Sequence, residues 1–170
     1  MIQPPEATEH LAYYSRYTSL VPGRDLVLTL EKQINETIPF LRSISAEKSL
    51  HRYAPGKWSI KEVLGHLTDA ERIFSYRALR FARNDPKPTA GFDQDPYVEA
   101  AGFDAYPWSD LVDEFEHVRR STIPLFGGLT PEAAMRSGIA SDAPVTVRAL
   151  GYIIAGHELH HIAILRERYF

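Results

Sequence analysis

Cysteine is absent from the 170 residues, which excludes disulfides, thiolate metal ligands and a cysteine nucleophile and fits a reducing compartment. Long apolar runs are absent too: stretches such as Ala149 to Ala155 fall far short of the roughly 20 residues that cross a bilayer. Cationic excess is missing, since 19 Lys and Arg stand against 22 Asp and Glu, a formal net charge of -3 with a pI near 6.2. The basic residues are scattered, whereas a nucleic-acid face needs them concentrated. The first residues, Met1-Ile2-Gln3-Pro4-Pro5-Glu6, lack the basic start and apolar run of a signal peptide. No segment alternates apolar and polar residues between turn signals, as a strand would. These absences predict a cytoplasmic protein with no nucleic-acid or membrane partner, built from helices.

What is present is an ordinary globular balance, 44% hydrophobic and 24% charged, in a chain long enough to bury one core unaided. We expect a single domain over residues 1–170. Residues 1–23, with two early prolines and the tyrosines Tyr13, Tyr14 and Tyr17, read as an irregular arm with at most a turn of helix. Over 24–170, Pro and Gly punctuate four helical patterns. The first runs from about Arg24 to Ser43, with Leu26, Leu30, Ile34 and Leu41 at helical spacing and Pro39 predicting a kink or early end near Ile38. A second opens at Ser59, where Glu62 completes a capping box, and continues to about Arg83. A third starts after Pro107 with Ser109 as its cap and ends near Phe126, before Gly127-Gly128. The fourth spans about Thr146 to Arg168. The fold class is therefore all-α, a four-helix bundle. Linkers of roughly 20 residues follow the second and third helices, and at about 3.3 Å per extended residue each is long enough for a crossover connection.

Seven histidines are present, and their positions differ in kind. His157 and His161 are four apart in the fourth helix and so share a face with Leu150, Ile154, Ile164 and Arg168. Two imidazoles on an apolar stripe need partners for their nitrogens. Hydrogen-bonded core histidines are one solution; a shared divalent metal ion is another, which the i, i+4 spacing favours. His66 lies at the shoulder of the second helix's stripe, on the line Val63–His66–Ala70–Ile73. It is ~11 Å from that helix's start, while His157 and His161 are ~11–17 Å from the end of the fourth. Antiparallel second and fourth helices would bring all three together; parallel ones would not. His160 points toward the rim, and His10, His51 and His117 read as surface residues.

The string His157-Glu158-Leu159-His160-His161 matches H-E-x-x-H, in which a zinc-protease glutamate is the general base. The strand-bearing scaffold of such proteases is missing, which keeps a metallopeptidase as an alternative only. A di-iron carboxylate bundle needs Glu-x-x-His on two helices, and Val63 stands where the second glutamate would be.

Trp58-Ser59-Ile60-Lys61-Glu62-Val63-Leu64-Gly65-His66-Leu67 resembles the second-helix signature of the DinB/YfiT-like superfamily. Gly91-Phe92-Asp93-Gln94-Asp95 and Gly156-His157-Glu158-Leu159-His160-His161 resemble its later landmarks, in order. The resemblance covers the chain from about the first helix onward. It implies an up-down-down-up bundle, a homodimer, and one divalent ion such as nickel or zinc on His66, His157 and His161. Several relatives use low-molecular-weight thiols such as bacillithiol, mycothiol or glutathione, which implies a thiol-dependent transferase acting on a small molecule.

Three neutral histidines leave coordination positions open, as catalytic rather than structural sites do. An ion there lowers the pKa of a bound water to about 7 or deprotonates a thiol, so hydrolysis and thiol transfer both fit. A non-catalytic metal- or ligand-binding bundle is the competing class. Glu158, Asp69 and His160 are candidates for proton transfer or for supporting the ligands, Asp69 through the free N–H of His66. Arg77, further along the His66 face, is a candidate for binding a substrate carboxylate, with a rim salt bridge as the alternative. The loop Gly91 to Asp95, with Tyr97 and Phe103, is expected to wall a pocket, Asp93 adding a polar contact.

Overall fold

Asp25, Ser59 and Thr146 each place a side-chain oxygen on a backbone N–H two or three residues on, at Val27, Glu62 and Ala149, and each opens a long helix. The computed structural model describes residues 1–170. The arm carries α1 (Ser15–Thr18); the bundle helices are α2 (Leu26–Arg42), α3 (Ile60–Ala82), α5 (Trp108–Gly127) and α7 (Val147–Arg168), with α4 (Gln94–Ala101) and α6 (Pro131–Met135) in the connections. Ser59 and Glu62 form the expected capping box. Pro39 does not end α2, which continues to Arg42; in the last turn the missing N–H costs a single helical bond. Helix α5 starts at Trp108 with Pro107 as its cap, and Ser109 instead bonds Asp110.

The expectation of no strands is corrected. Strands β1 (Ser137–Ala140) and β2 (Ala143–Thr146) form an antiparallel hairpin. Ser141 and Asp142 turn it with φ of 52° and 62°, the left-handed pair of a type I′ turn, which small polar residues tolerate. Four-residue strands containing Gly138 and Pro144 are too short to display alternation. The hairpin also ties down the other long connection, where Thr89 exchanges backbone bonds with Ile139 and Ser141.

Side-chain contacts fix the helix directions. Gln33 reaches Ala155 O and Thr37 reaches Glu158, so α2 and α7 run parallel. Arg42 pairs with Asp113 and Glu116 while Gln33 meets Arg119, so α2 and α5 are antiparallel. Tyr169, after α7, bonds Trp58 O, just before α3, and Arg136, before α7, donates to Ala82 O at the end of α3; these two helices are antiparallel. The order is up-down-down-up.

The core divides into two apolar clusters, one around Leu26, Leu30, Phe74, Phe126 and Ile153, the other around Ile34, Leu64, Phe115 and Leu165. Where they part, polar residues cross the bundle. Arg119, fully buried, donates to both Glu71 oxygens at 2.8 Å and to Gln33 Oε1 at 3.4 Å. Its Nη1 also forms an ion pair of 2.5 Å with Glu158 Oε2. Thr37 donates to Glu158 Oε1 at 2.5 Å. One guanidinium thus engages residues of the other three bundle helices.

Removing it strands buried carboxylates, which costs about 3–5 kcal/mol. Arg119→Met is expected to lower the free energy of unfolding by that amount in urea titration, against less than ~1 kcal/mol for the exposed Arg120→Met.

Candidate metal centre

Antiparallel α3 and α7 bring the early part of one beside the late part of the other, and there the three histidines meet. His66 Nε2 lies 3.0 Å from His157 Nε2, and His161 Nε2 lies 3.1 Å from the same atom. One nitrogen from each ring falls within 4.8 Å of the others. Three ligands at a tetrahedral ion, with Zn–N near 2.0–2.1 Å, stand about 3.3 Å apart, so the cluster fits a single divalent ion. His66 and His157 are 4% and 6% exposed. Burial drives His66 down to about 4. Burial, then the neighbouring His66 and His160, drives His161 down to about 3. Burial, reinforced by His161 and His66, takes His157 well below the usual histidine range. All three are neutral at pH 7, the state in which imidazole ligates metal.

Packing holds the rings in place. Trp58 tilts over His66 with centroids 5.0 Å apart, and Phe74 sets its edge against His157. From the arm, Tyr17 packs on His157 and His160 at 5.1 and 5.4 Å. This approach requires Gly156, because a Cβ there would sit 2.0 Å from the Tyr17 carbonyl oxygen. Burial raises the Tyr17 hydroxyl's pKa, keeping it protonated. The arm is itself clasped: Glu9 pairs with Arg148 and accepts from Thr146, and Ile2 O accepts from Leu26 N and Tyr152 Oη.

Two cavities flank the cluster. One of about 450 Å³ reaches His66 and His157 and is walled by Tyr13, Tyr14, Tyr17, Phe74, Phe92 and Asp93. Another, of about 290 Å³, reaches His161 and is bordered by Tyr53, Lys57, Trp58 and Tyr169. Gln94 and Asp95 line both. Together they accommodate small molecules.

The other expected site residues divide. His160 is half-buried beside His161, ring centroids 5.0 Å apart, with its pKa lowered by burial and then by Arg16. Glu158 is corrected: 1% exposed, it faces Thr37 and Arg119, about 100° around the helix from His157. The H-E-x-x-H pattern therefore has no general base at the cluster. Asp69 is corrected as well, since it leans toward Arg72 at 3.8 Å and makes no bond to His66. Arg77 is buried beneath the larger cavity, donating to Ala90 O at 2.7 Å and Ser141 Oγ at 3.2 Å. It neither lines that cavity nor pairs with a carboxylate, so both expectations for it are corrected. Phe92 and Asp93 wall the pocket as expected, with Tyr97 against Phe92, but Phe103 packs into the core over Gly65. His51 and His117 are exposed. His10 is not: it is 7% exposed, with Nδ1 bonded to Leu11 O at 2.9 Å. The tyrosines of the arm, which the sequence presents only as part of an irregular segment, form one wall of the cavity, and the i, i+4 spacing of Tyr13 and Tyr17 is the one signal of it.

The model of the DinB superfamily matches residues 29–165. The chain belongs to the DinB superfamily. An Oceanobacillus iheyensis protein inferred to be a metal-dependent hydrolase is 24% identical over 140 residues, covering 81% of this chain and 78% of its own. YfiT from Bacillus subtilis, inferred to be a metal-dependent hydrolase with an unusual four-helix bundle topology, superposes with a TM-score of 0.75. That match has 16% identity and covers 98% of this chain and 91% of YfiT. No helix is long and apolar enough to cross a membrane.

The lowered histidine pKa values carry a sign. The unfolded chain takes up protons below about 6.5, while the folded metal-free protein resists until about 4 at His66 and about 3 at His161. Stability is thus complete above pH 6.5 and drains as pH falls toward those values. In chelator, the urea midpoint is expected to drop between pH 7 and 5, with His66 alone contributing about 1–2 kcal/mol. His66→Ala should flatten that slope; an unchanged slope would contradict the burial of a neutral ring.

Proposed function

We propose that the protein is a metal-dependent hydrolase of small molecules, using one divalent ion, zinc or nickel, on His66, His157 and His161. The observation that carries this reading is the convergence of three neutral imidazoles, two buried and His161 half-buried, on one point beside a cavity. The naming of the Oceanobacillus iheyensis relative supports it. A divalent ion bound there supplies Lewis acidity and a water ligand of pKa about 7. The chain supplies the rest. Tyr13, Tyr14, Tyr17, Phe74 and Phe92 restrict water and favour an apolar or planar substrate body. Glu158 and Asp69 face elsewhere, so His160, neutral and adjacent to His161, is the residue to accept a proton at the rim.

A second reading, a transferase dependent on a low-molecular-weight thiol, is favoured by the smaller cavity. It gives a second ligand its own route to His161, and Lys57 beside it suits a carboxylate-bearing thiol.

Metal analysis of purified protein is expected to give one zinc or nickel per chain. His157→Ala should lose the ion and bring hydrolysis of ester and amide substrates to background, while far-UV circular dichroism stays native. An absolute requirement for added thiol would replace the first reading with the second. Full activity in the metal-free protein would rule out both.

A further inference from the structure

Among the buried charges, the group formed by Glu71, Arg119 and Glu158 does not balance. It contains two carboxylates and one guanidinium, the three residues being 3%, 0% and 1% exposed. Arg119 meets Glu71 with two bonds of 2.8 Å and Glu158 Oε2 with a single contact of 2.5 Å, so one guanidinium is shared by two carboxylates. The other buried cations are committed elsewhere: Lys61 donates to Asp104 O and Tyr106 O, and Arg77 to Ala90 O and Ser141 Oγ. Neither touches this group. A surplus negative charge in a bundle interior is unfavourable on its own.

Both carboxylates stand on the helices that carry the histidines. Glu158 follows His157 directly, and Glu71 is five residues past His66 on α3. Imidazole ligates a metal in its neutral form, so three histidine ligands bring no charge of their own to a bound cation. A divalent cation on neutral ligands in a buried site lacks the compensation that carboxylate or thiolate ligands give elsewhere.

We propose that the buried Glu71–Arg119–Glu158 group is the counter-charge of the metal centre, raising its affinity for a divalent cation through the field of its surplus carboxylate rather than by contact. This rests on the three-histidine metal reading above. Glu71 and Glu158 are then positioning residues for charge, one on each ligand-bearing helix. A buried group with one negative charge in excess and a dication on neutral ligands compensate each other only when both are present. A unit charge one or two helical turns from a dication, ~5–11 Å away, is worth tenfold or more in affinity at protein-like screening.

The test is the dissociation constant for Zn²⁺, measured by competition with a chromophoric chelator at fixed pH on wild type, Glu71→Gln, Glu158→Gln and Thr37→Val. Folding of each metal-free variant is checked by circular dichroism and urea unfolding. Each carboxamide removes one charge from a different helix at constant shape. Thr37→Val removes the hydrogen bond to Glu158 and leaves the charge. Both carboxamide variants are expected to bind Zn²⁺ about tenfold more weakly or worse, with Thr37→Val within twofold of wild type although less stable. Equal affinity in the carboxamide variants and wild type would overturn the inference while leaving the metal site intact. So would weakening confined to Glu158→Gln, or matched by Thr37→Val, since either means that local geometry governs binding. If one carboxamide variant fails to fold, the other against Thr37→Val decides. Absence of Zn²⁺ binding by wild type would overturn the metal reading, and this inference with it.

Discussion

A guanidinium at the centre of a helical bundle cannot be left without acceptors, and Arg119 sets that condition for the whole fold. Its bonds go to Glu71 on α3 and Gln33 on α2, its charge contact to Glu158 on α7, while Arg119 itself sits on α5. Apolar packing alone would tolerate small slips of one helix against another. Directional bonds do not, since a shift of one turn along any helix would leave an ion unpaired where water cannot reach. Gln33 adds a further pin by donating to Ala155 O at 2.8 Å. The segment pinned in this way, Ala155 to Glu158, contains His157, whose Nε2 lies 3.0 Å from that of His66 and 3.1 Å from that of His161. Register for the core and register for the site are the same constraint.

Much of this was legible in residue spacing. The helix starts followed from side chains that cap a free N–H, as Ser59 with Glu62 and Thr146 do. The convergence of His66 with His157 and His161 followed from depth along two helices once these were antiparallel. The hairpin of residues 137–146 was not legible, because Gly138 and Pro144 dilute strands of four residues and the turn depends on positive φ at Ser141 and Asp142. Helix α4 was hidden too: Gln94 to Ala101 buries only Val98, so it has no apolar stripe to read.

Glu158 shows the limit of motif reading most clearly. In the string from His157 to His161 it occupies the place of a catalytic base, and spacing alone cannot say which neighbour claims a side chain 100° around the helix. Arg119 and Thr37, on two other helices, claim it here. Asp69 is drawn toward Arg72 in the same way. The arm presents the reverse case. Residues 1–23 had no periodicity to interpret, yet Tyr17 packs on two of the histidines because Gly156 opens a groove for its backbone.

The start of α4 stands between the two cavities, with Gln94 and Asp95 facing each. It works as a party wall between two rooms. A substitution there that enlarges one room narrows or reshapes the other, so the shapes of the two cannot drift separately. Divergence among proteins with this arrangement would then proceed by changing far walls, the tyrosines of the arm on one side or Tyr53 and Tyr169 on the other, while the shared wall holds still.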